Sequence, residues 1–260
     1  MPSIPPVVPA LPTVNPYDRN LAAGSAFDWL RAGWRDLTTD PAPSLLRGGL
    51  VFLLSAAIVG GLIALHLDYI LFPALAGFLI FAPTLAIGLY EKSRALARQE
   101  AVDHRLPAIP EGKAGIQILF IGALLCGLVI AWMRAAVIIF ALFFGVRPFP
   151  GLDHITPMLF TTTTGLTMLM VGAAVGALFA AFAFAISAFS IPLLLDKRID
   201  ALTAMGTSWA LVWNNRKAML VWGAVVLLLF LASLATGLLG LIIVFPWLGH
   251  ATWHAYEAVR

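Results

Sequence analysis

Between Ile155 and Leu195 the chain runs 41 residues without a formal charge, and between Ala218 and Tyr256 another 39. A helix at the surface of a soluble protein needs a polar face, and these runs have none. Three more charge-free stretches, Gly48–Leu67, Tyr69–Tyr90 and Ala114–Met133, each supply the ~20 residues that cross a bilayer core. Composition agrees: 11% of the chain is charged, against roughly 25% in a soluble domain, and the mean hydropathy is +0.94. The expected fold is an all-α polytopic membrane protein.

The number of spans follows from the breaks. HITPMLFTTTTG, His154 to Gly165, is threonine-rich and interrupted by Pro157 and Gly165, so the first long run reads as one helix at about Thr167–Leu195. The second is long enough for a hairpin turning near Thr236–Gly240. Six transmembrane helices result. The start, MPSIPPVVPALPTVNP, holds six prolines in sixteen residues. It lacks the basic and apolar regions of a signal peptide and reads as a disordered tail over residues 1–20. Residues 21–260 form a single six-span domain.

Basic residues orient it. Arg19, Arg31, Arg35 and Arg47 precede the first span; Lys92, Arg94, Arg98, Arg105 and Lys113 follow the second. Lys197, Arg198, Arg216, Lys217 and Arg260 complete one side, while the other has Arg147 alone. The positive-inside rule then places both termini in the cytoplasm. Arg134 falls about twenty residues into the third helix, near the outer edge of the hydrocarbon. Either this helix is long and tilted, or Ala135–Gly145 lies along the outer interface. An ionisable group there is a functional candidate, although an arginine at that depth also reaches headgroups by snorkelling.

Two segments resemble each other at an offset of 175. Ala26 aligns with Ala201, Trp34 with Trp209, Asp40 with Asn215, Leu45 with Leu220 and Gly48 with Gly223. Each reads as an amphipathic helix, a polar turn and a span. Phe27, Leu30, Trp34 and Leu37 share a face in the first; Ile199, Leu202, Trp209 and Trp213 do so in the second. Ser25 with Asp28 has the form of a capping box. These two helices are expected in the cytoplasmic interface, tryptophan at headgroup level. Units 25–94 and 200–260 would be parallel repeats flanking a central helix pair, 114–195. GAAVG, Gly172 to Gly176, is a GxxxG suited to internal packing or to a homodimer.

The sequence GHATWHAYEAVR, Gly249 to Arg260, carries the strongest polar pattern. His250 and His254 lie one turn apart, with Glu257 three residues on. A metal site would draw on both histidines, with Glu257 and Glu91 as further ligands. Haem needs opposed histidines from two helices at one depth, and no second histidine-bearing helix reaches the depth of His250. The plainer expectation is that His250, Trp253, His254 and Tyr256 form an interfacial belt with internal hydrogen bonds. No cofactor is implied. The single cysteine, Cys126, lies in an apolar run and excludes an internal disulfide.

From the Trp34 region onward the sequence resembles a bacterial family of predicted integral membrane proteins, domain of unknown function 2189. The resemblance is carried by SIPLLLDKRIDALTA at Ser190–Ala204, NNRKAMLVWG at Asn214–Gly223 and GLIIVFPWLGHATWHAY at Gly240–Tyr256, with weaker matches at Phe140–Gly145 and Gly172–Ala180. Some members carry a cytochrome c oxidase-like label. The resemblance implies a multi-span protein of the bacterial inner membrane and carries over no catalytic residue.

No GxSxG, P-loop, HExxH or carboxylate pair occurs within a span, so enzymatic activity is not expected. Basic residues are scattered beside acids, which gives no nucleic-acid surface. The leading expectation is a scaffold, assembly or accessory subunit, with the bilayer and other membrane-complex subunits or a second copy as partners. A small-solute transporter or channel is the alternative, and a metal- or haem-associated redox protein the third reading.

Overall fold

The computed structural model describes residues 15–67, 70–101, 113–145 and 152–260. Residues 1–14 of the expected tail, Asp68, Tyr69, His104, Arg105 and Arg147 lie outside them. The described residues form helices and turns, with no strand among them. In chain order the helices are α1 (Ser25–Thr38), α2 (Pro41–Ala64), α3 (Leu71–Leu85), α4 (Ile87–Arg98), α5 (Lys113–Phe144), α6 (Leu152–Thr161), α7 (Thr163–Ser187), α8 (Ser190–Asp196), α9 (Ala201–Asn214), α10 (Arg216–Ala235) and α11 (Leu241–Val259).

Four segments are long and apolar enough to cross a membrane: Pro41–Ala64, Gly115–Phe144, Thr163–Asp196 and Arg216–Ala235. The surface is inverted relative to a soluble protein. Leu142, Leu220 and Leu178 are each more than 70% exposed, while Ser44, Lys92 and His250 are enclosed. Two of the six expected spans do not reach this standard. The stretch from Leu71 onward is split at Ala86 into α3 and α4, where Ala86 N turns to Pro83 O at 3.3 Å in place of the next helical carbonyl. In α11 the apolar half gives way to the polar face beginning at His250.

Several boundaries differ from the sequence reading. Helix α2 begins seven residues earlier than the charge-free run, with Pro41 in its first turn, where a missing N–H costs nothing. Helix α5 continues unbroken past Arg134 to Phe144, which settles the choice in favour of one long helix. The threonine-rich stretch is helical through Pro157; the break falls at Thr162, whose hydroxyl caps α7 by accepting from Gly165 N at 3.0 Å. Ser25 makes no capping box. It lies within the first turn, and Asp28 pairs with Arg31 at 3.0 Å.

The long helix expected to Leu195 breaks between Ser187 and Ser190. Ser208 of α9 fills the break: its hydroxyl accepts from Phe189 N at 3.1 Å and donates to Ala185 O at 2.8 Å. Backbone groups freed by a kink at this depth require such a partner. The expected disorder of residues 15–20 does not hold either. Asn15 bonds Asn214 at 2.7 Å, and Asn215 accepts from Arg19 N at 3.0 Å while donating to Tyr17 O at 2.8 Å.

Helix α11 is the hub. Gly33 and Gly48 let α1 and α2 close upon it: a Cβ at Gly33 would sit 2.5 Å from Ala251 N, and one at Gly48 2.1 Å from Ile242 O. Leu30, Gly33 and Asp36 meet Trp247, Ala251 and His254 in succession, so α1 runs alongside α11 in the same direction. It is therefore packed into the bundle along its length. Trp29, on its buried side, meets the Trp222 ring edge-on at 5.8 Å between centroids.

Candidate functional site

The polar residues of the interior collect at one end of the bundle, around His250. The α1–α2 turn passes through Asp40 in a left-handed conformation (φ 55°), which aims its carbonyl at α4. Lys92 of α4 donates to that carbonyl at 2.7 Å and to the Ser44 hydroxyl at 2.9 Å. Ser44 Oγ lies 3.0 Å from His250 Nε2, and Ser93 Oγ lies 2.8 Å from His250 Nδ1. Beside them, Asp36 Oδ2 is 2.8 Å from His254 Nε2.

An ammonium group only donates, so Ser44 accepts from Lys92. The Ser44 and Ser93 hydroxyls then hold the two ring nitrogens of His250 from opposite sides. His254 donates to the Asp36 carboxylate. Burial alone would raise the Asp36 carboxyl; the His254 bond and the nearby Ser93 hydroxyl outweigh it and hold the group below its ordinary value. Beside this cluster, Arg47 lies across α4, where a Cβ on Gly88 would come within 2.9 Å of its Nε, and Glu91 supplies the opposite charge.

A second cluster ties three helix ends together. Asp196, at the end of α8, accepts from the Tyr256 hydroxyl at 2.7 Å, from Arg260 at 3.0 Å and from Arg98 at 3.0 Å. Arg94 donates to Leu195 O at 2.6 Å. One carboxylate thus fastens α4, α8 and α11, and the three donors neutralise it.

Each residue singled out in the sequence has a place here. His250 and His254 share a face but have separate partners, and both ring nitrogens of His250 are taken by serines. Among the described residues no group of three or more His, Cys, Asp or Glu side chains converges as a metal site would require. His250, Trp253 and Tyr256 are fully enclosed; His250, His254 and Tyr256 make internal hydrogen bonds, whereas the buried Trp253 indole N–H makes none. Glu257 pairs with Arg260 at 2.9 Å. Arg134 is exposed on α5. Sequence reasoning missed Asp36, Ser44, Lys92, Ser93 and Asp196 as members of the site. A lysine and a serine adjacent at positions 92 and 93, one turn past the apolar run, were the available signal.

The chain matches no curated protein and no solved structure. The family model that it does match covers α3 to α8, including Lys92, Ser93 and Asp196 but not their partners on α1, α2 and α11. The family whose model matches residues 71–196 is described as predicted integral membrane protein (DUF2189).

Proposed function

We propose that this integral membrane protein is a scaffold or accessory subunit of a membrane complex and not an enzyme. The observation that carries the proposal is the closure of the polar cluster: Lys92 bonds Ser44, His250 bonds Ser44 and Ser93, and Asp36 bonds His254, leaving His250 no free ring nitrogen for a solute or a metal. Groups arranged so rigidly hold helices in register. Outside, a groove of about 510 Å³ runs between α3, α5 and α7, walled by Gly172, Ala173, Gly176 and Ala177. Gly176 packs on Trp132 within the chain, but Gly172 faces open space, a surface that admits a close helix from a partner subunit.

Six crossings fit this reading. The start of α2 meets α4 through Asp40 and Lys92, the ends of α4, α8 and α11 meet at Asp196, and α5 caps α9 through Gln117 Oε1 and Ala201 N at 2.7 Å. The basic connections therefore gather at one end, read as cytoplasmic in a bacterial inner membrane, with α3–α4 and α11 as the two short crossings. The repeat is supported by burial at its offset of 175: Ala26 and Ala201 are both buried, as are Gly33 and Ser208, while Trp34 and Trp209 both face outward.

The test is affinity purification of the tagged protein from its native membrane in mild detergent, with co-purifying chains identified by mass spectrometry. A stoichiometric partner is expected. A solitary protein at every growth stage would count against the scaffold reading, and solute flux in liposomes that disappears on His250→Leu would replace it with transport.

A further inference from the structure

Helix α1 is apolar on two sides. One packs on α11 through Ala26, Trp29, Ala32 and Gly33; the other turns Phe27 and Trp34 outward, 51% and 45% exposed. Trp247 of α11 reaches this outer side. Its indole N–H donates to Leu30 O at 2.8 Å, and its ring meets Trp34 edge-on at 5.1 Å. The result is a hollow of about 440 Å³ lined by Phe27, Leu30, Arg31, Trp34, Arg35 and Trp247.

Its floor is hydrocarbon and aromatic, and of its two indole N–H groups that of Trp247 is already bonded. Besides the Trp34 N–H, what remains is cationic. The Arg35 guanidinium has no partner among the described residues, and Arg31 is held only by Asp28 at 3.0 Å in a highly exposed pair. Such pairs exchange readily for a better anion. Residues 27, 31, 34 and 35 share one helix face. Because α1 runs with α11 towards the end where the basic connections gather, the guanidinium groups lie nearer that end and Phe27 deeper. The matching part of α9 keeps the outward apolar residues, Leu202, Trp209 and Trp213, but has Gly206 and Ala210 where α1 has arginines.

We propose that this hollow binds one anionic phospholipid, its phosphate held by Arg35 and Arg31 and the start of an acyl chain laid over Leu30, Phe27, Trp34 and Trp247. The proposal rests on reading that end of the bundle as a headgroup interface. The charge is what selects: a basic side chain near a bilayer surface attracts anionic lipid by about five-fold, so two give about thirty-fold over a zwitterionic lipid. The α9 face, lacking both arginines, anchors without such selection.

The experiment uses the full chain in nanodiscs of phosphatidylcholine containing a minor fraction of phosphatidylglycerol, released and read by native mass spectrometry. One retained phosphatidylglycerol per chain is expected, enriched at least about ten-fold over its mole fraction. Arg31→Gln with Arg35→Gln should abolish the enrichment while thermal unfolding stays unchanged; Trp209→Ala should keep it. Equal retention of both lipids, or enrichment that survives the double arginine variant, would overturn the site. Accessibility labelling of cysteines placed at Thr38 and Gly237 tests the interface reading separately. Labelling from the wrong side shows that reading to be at fault, whatever the lipid result.

Discussion

Ser93→Ala deletes one fully buried oxygen from the centre of the polar cluster. The hydroxyl lies 2.8 Å from His250 Nδ1. Without it, His250 keeps a buried ring nitrogen with no partner, a loss of ~1–3 kcal/mol, so the expected cost is about 2 kcal/mol. An ordinary hydrogen bond between membrane helices is worth only ~0.6 kcal/mol. The larger figure here comes from complete burial. For a chain of this size it corresponds to roughly 4–8 °C in melting temperature. The assay is thermal unfolding of the purified protein in mild detergent, followed by tryptophan fluorescence. Thr38→Ala is the control, because that exposed hydroxyl bonds only carbonyls of its own helix. A Ser93→Ala melting temperature indistinguishable from the control would refute the reasoning, since it would mean that the hydrogen bonds from Lys92 through His250 to Ser93 carry no stabilisation.

Other perturbations follow from the same geometry. Gly48→Ala places a Cβ 2.1 Å from Ile242 O and should cost about 3 kcal/mol or more, whereas Gly49→Ala meets nothing within 4 Å and should be neutral or gain up to ~1 kcal/mol; paired melting curves separate them. The Asp36 carboxyl is held below its ordinary value, so its contribution is fully present above its unfolded value, ~3.9, and is lost as pH falls through the lower folded value. Melting temperatures taken downward from neutral pH should show that loss in the wild type and not in Asp36→Asn. Ser208→Ala should cost about 2 kcal/mol and speed amide exchange at Phe189, whose N–H loses its partner.

The membrane class and four of the crossings were legible because absence of charge over twenty or more residues has few other meanings. So was the α10–α11 turn, where Gly237 and Leu238 adopt positive φ within the expected Thr236–Gly240. His250 and His254 were found as a pair on one face, since helical spacing is local information. Their partners were not, because Ser44 and Ser93 are single small polar residues at the edges of apolar runs, and nothing local says which helix they will meet. Asp36 gave no local signal either; only the parallel run of α1 along α11 turns it inward. The break before α8 has a local cause in Pro192, which has no N–H for Ala188 O and crowds that carbonyl; that Ser208 of α9 fills the break is not local information.

Helix α11 is C-terminal to everything it closes upon: 206 residues separate Ser44 from His250, and 218 separate Asp36 from His254. At ~5–20 residues per second, translation delivers α11 roughly 10–40 s after α1 and α2. Throughout that interval the nascent chain holds Asp36, Ser44 and, once made, Lys92 with no histidine to join them. The arrival of α11 therefore sets the moment at which the polar cluster closes, and substitutions in α11 should lower the amount of protein before they alter what it does.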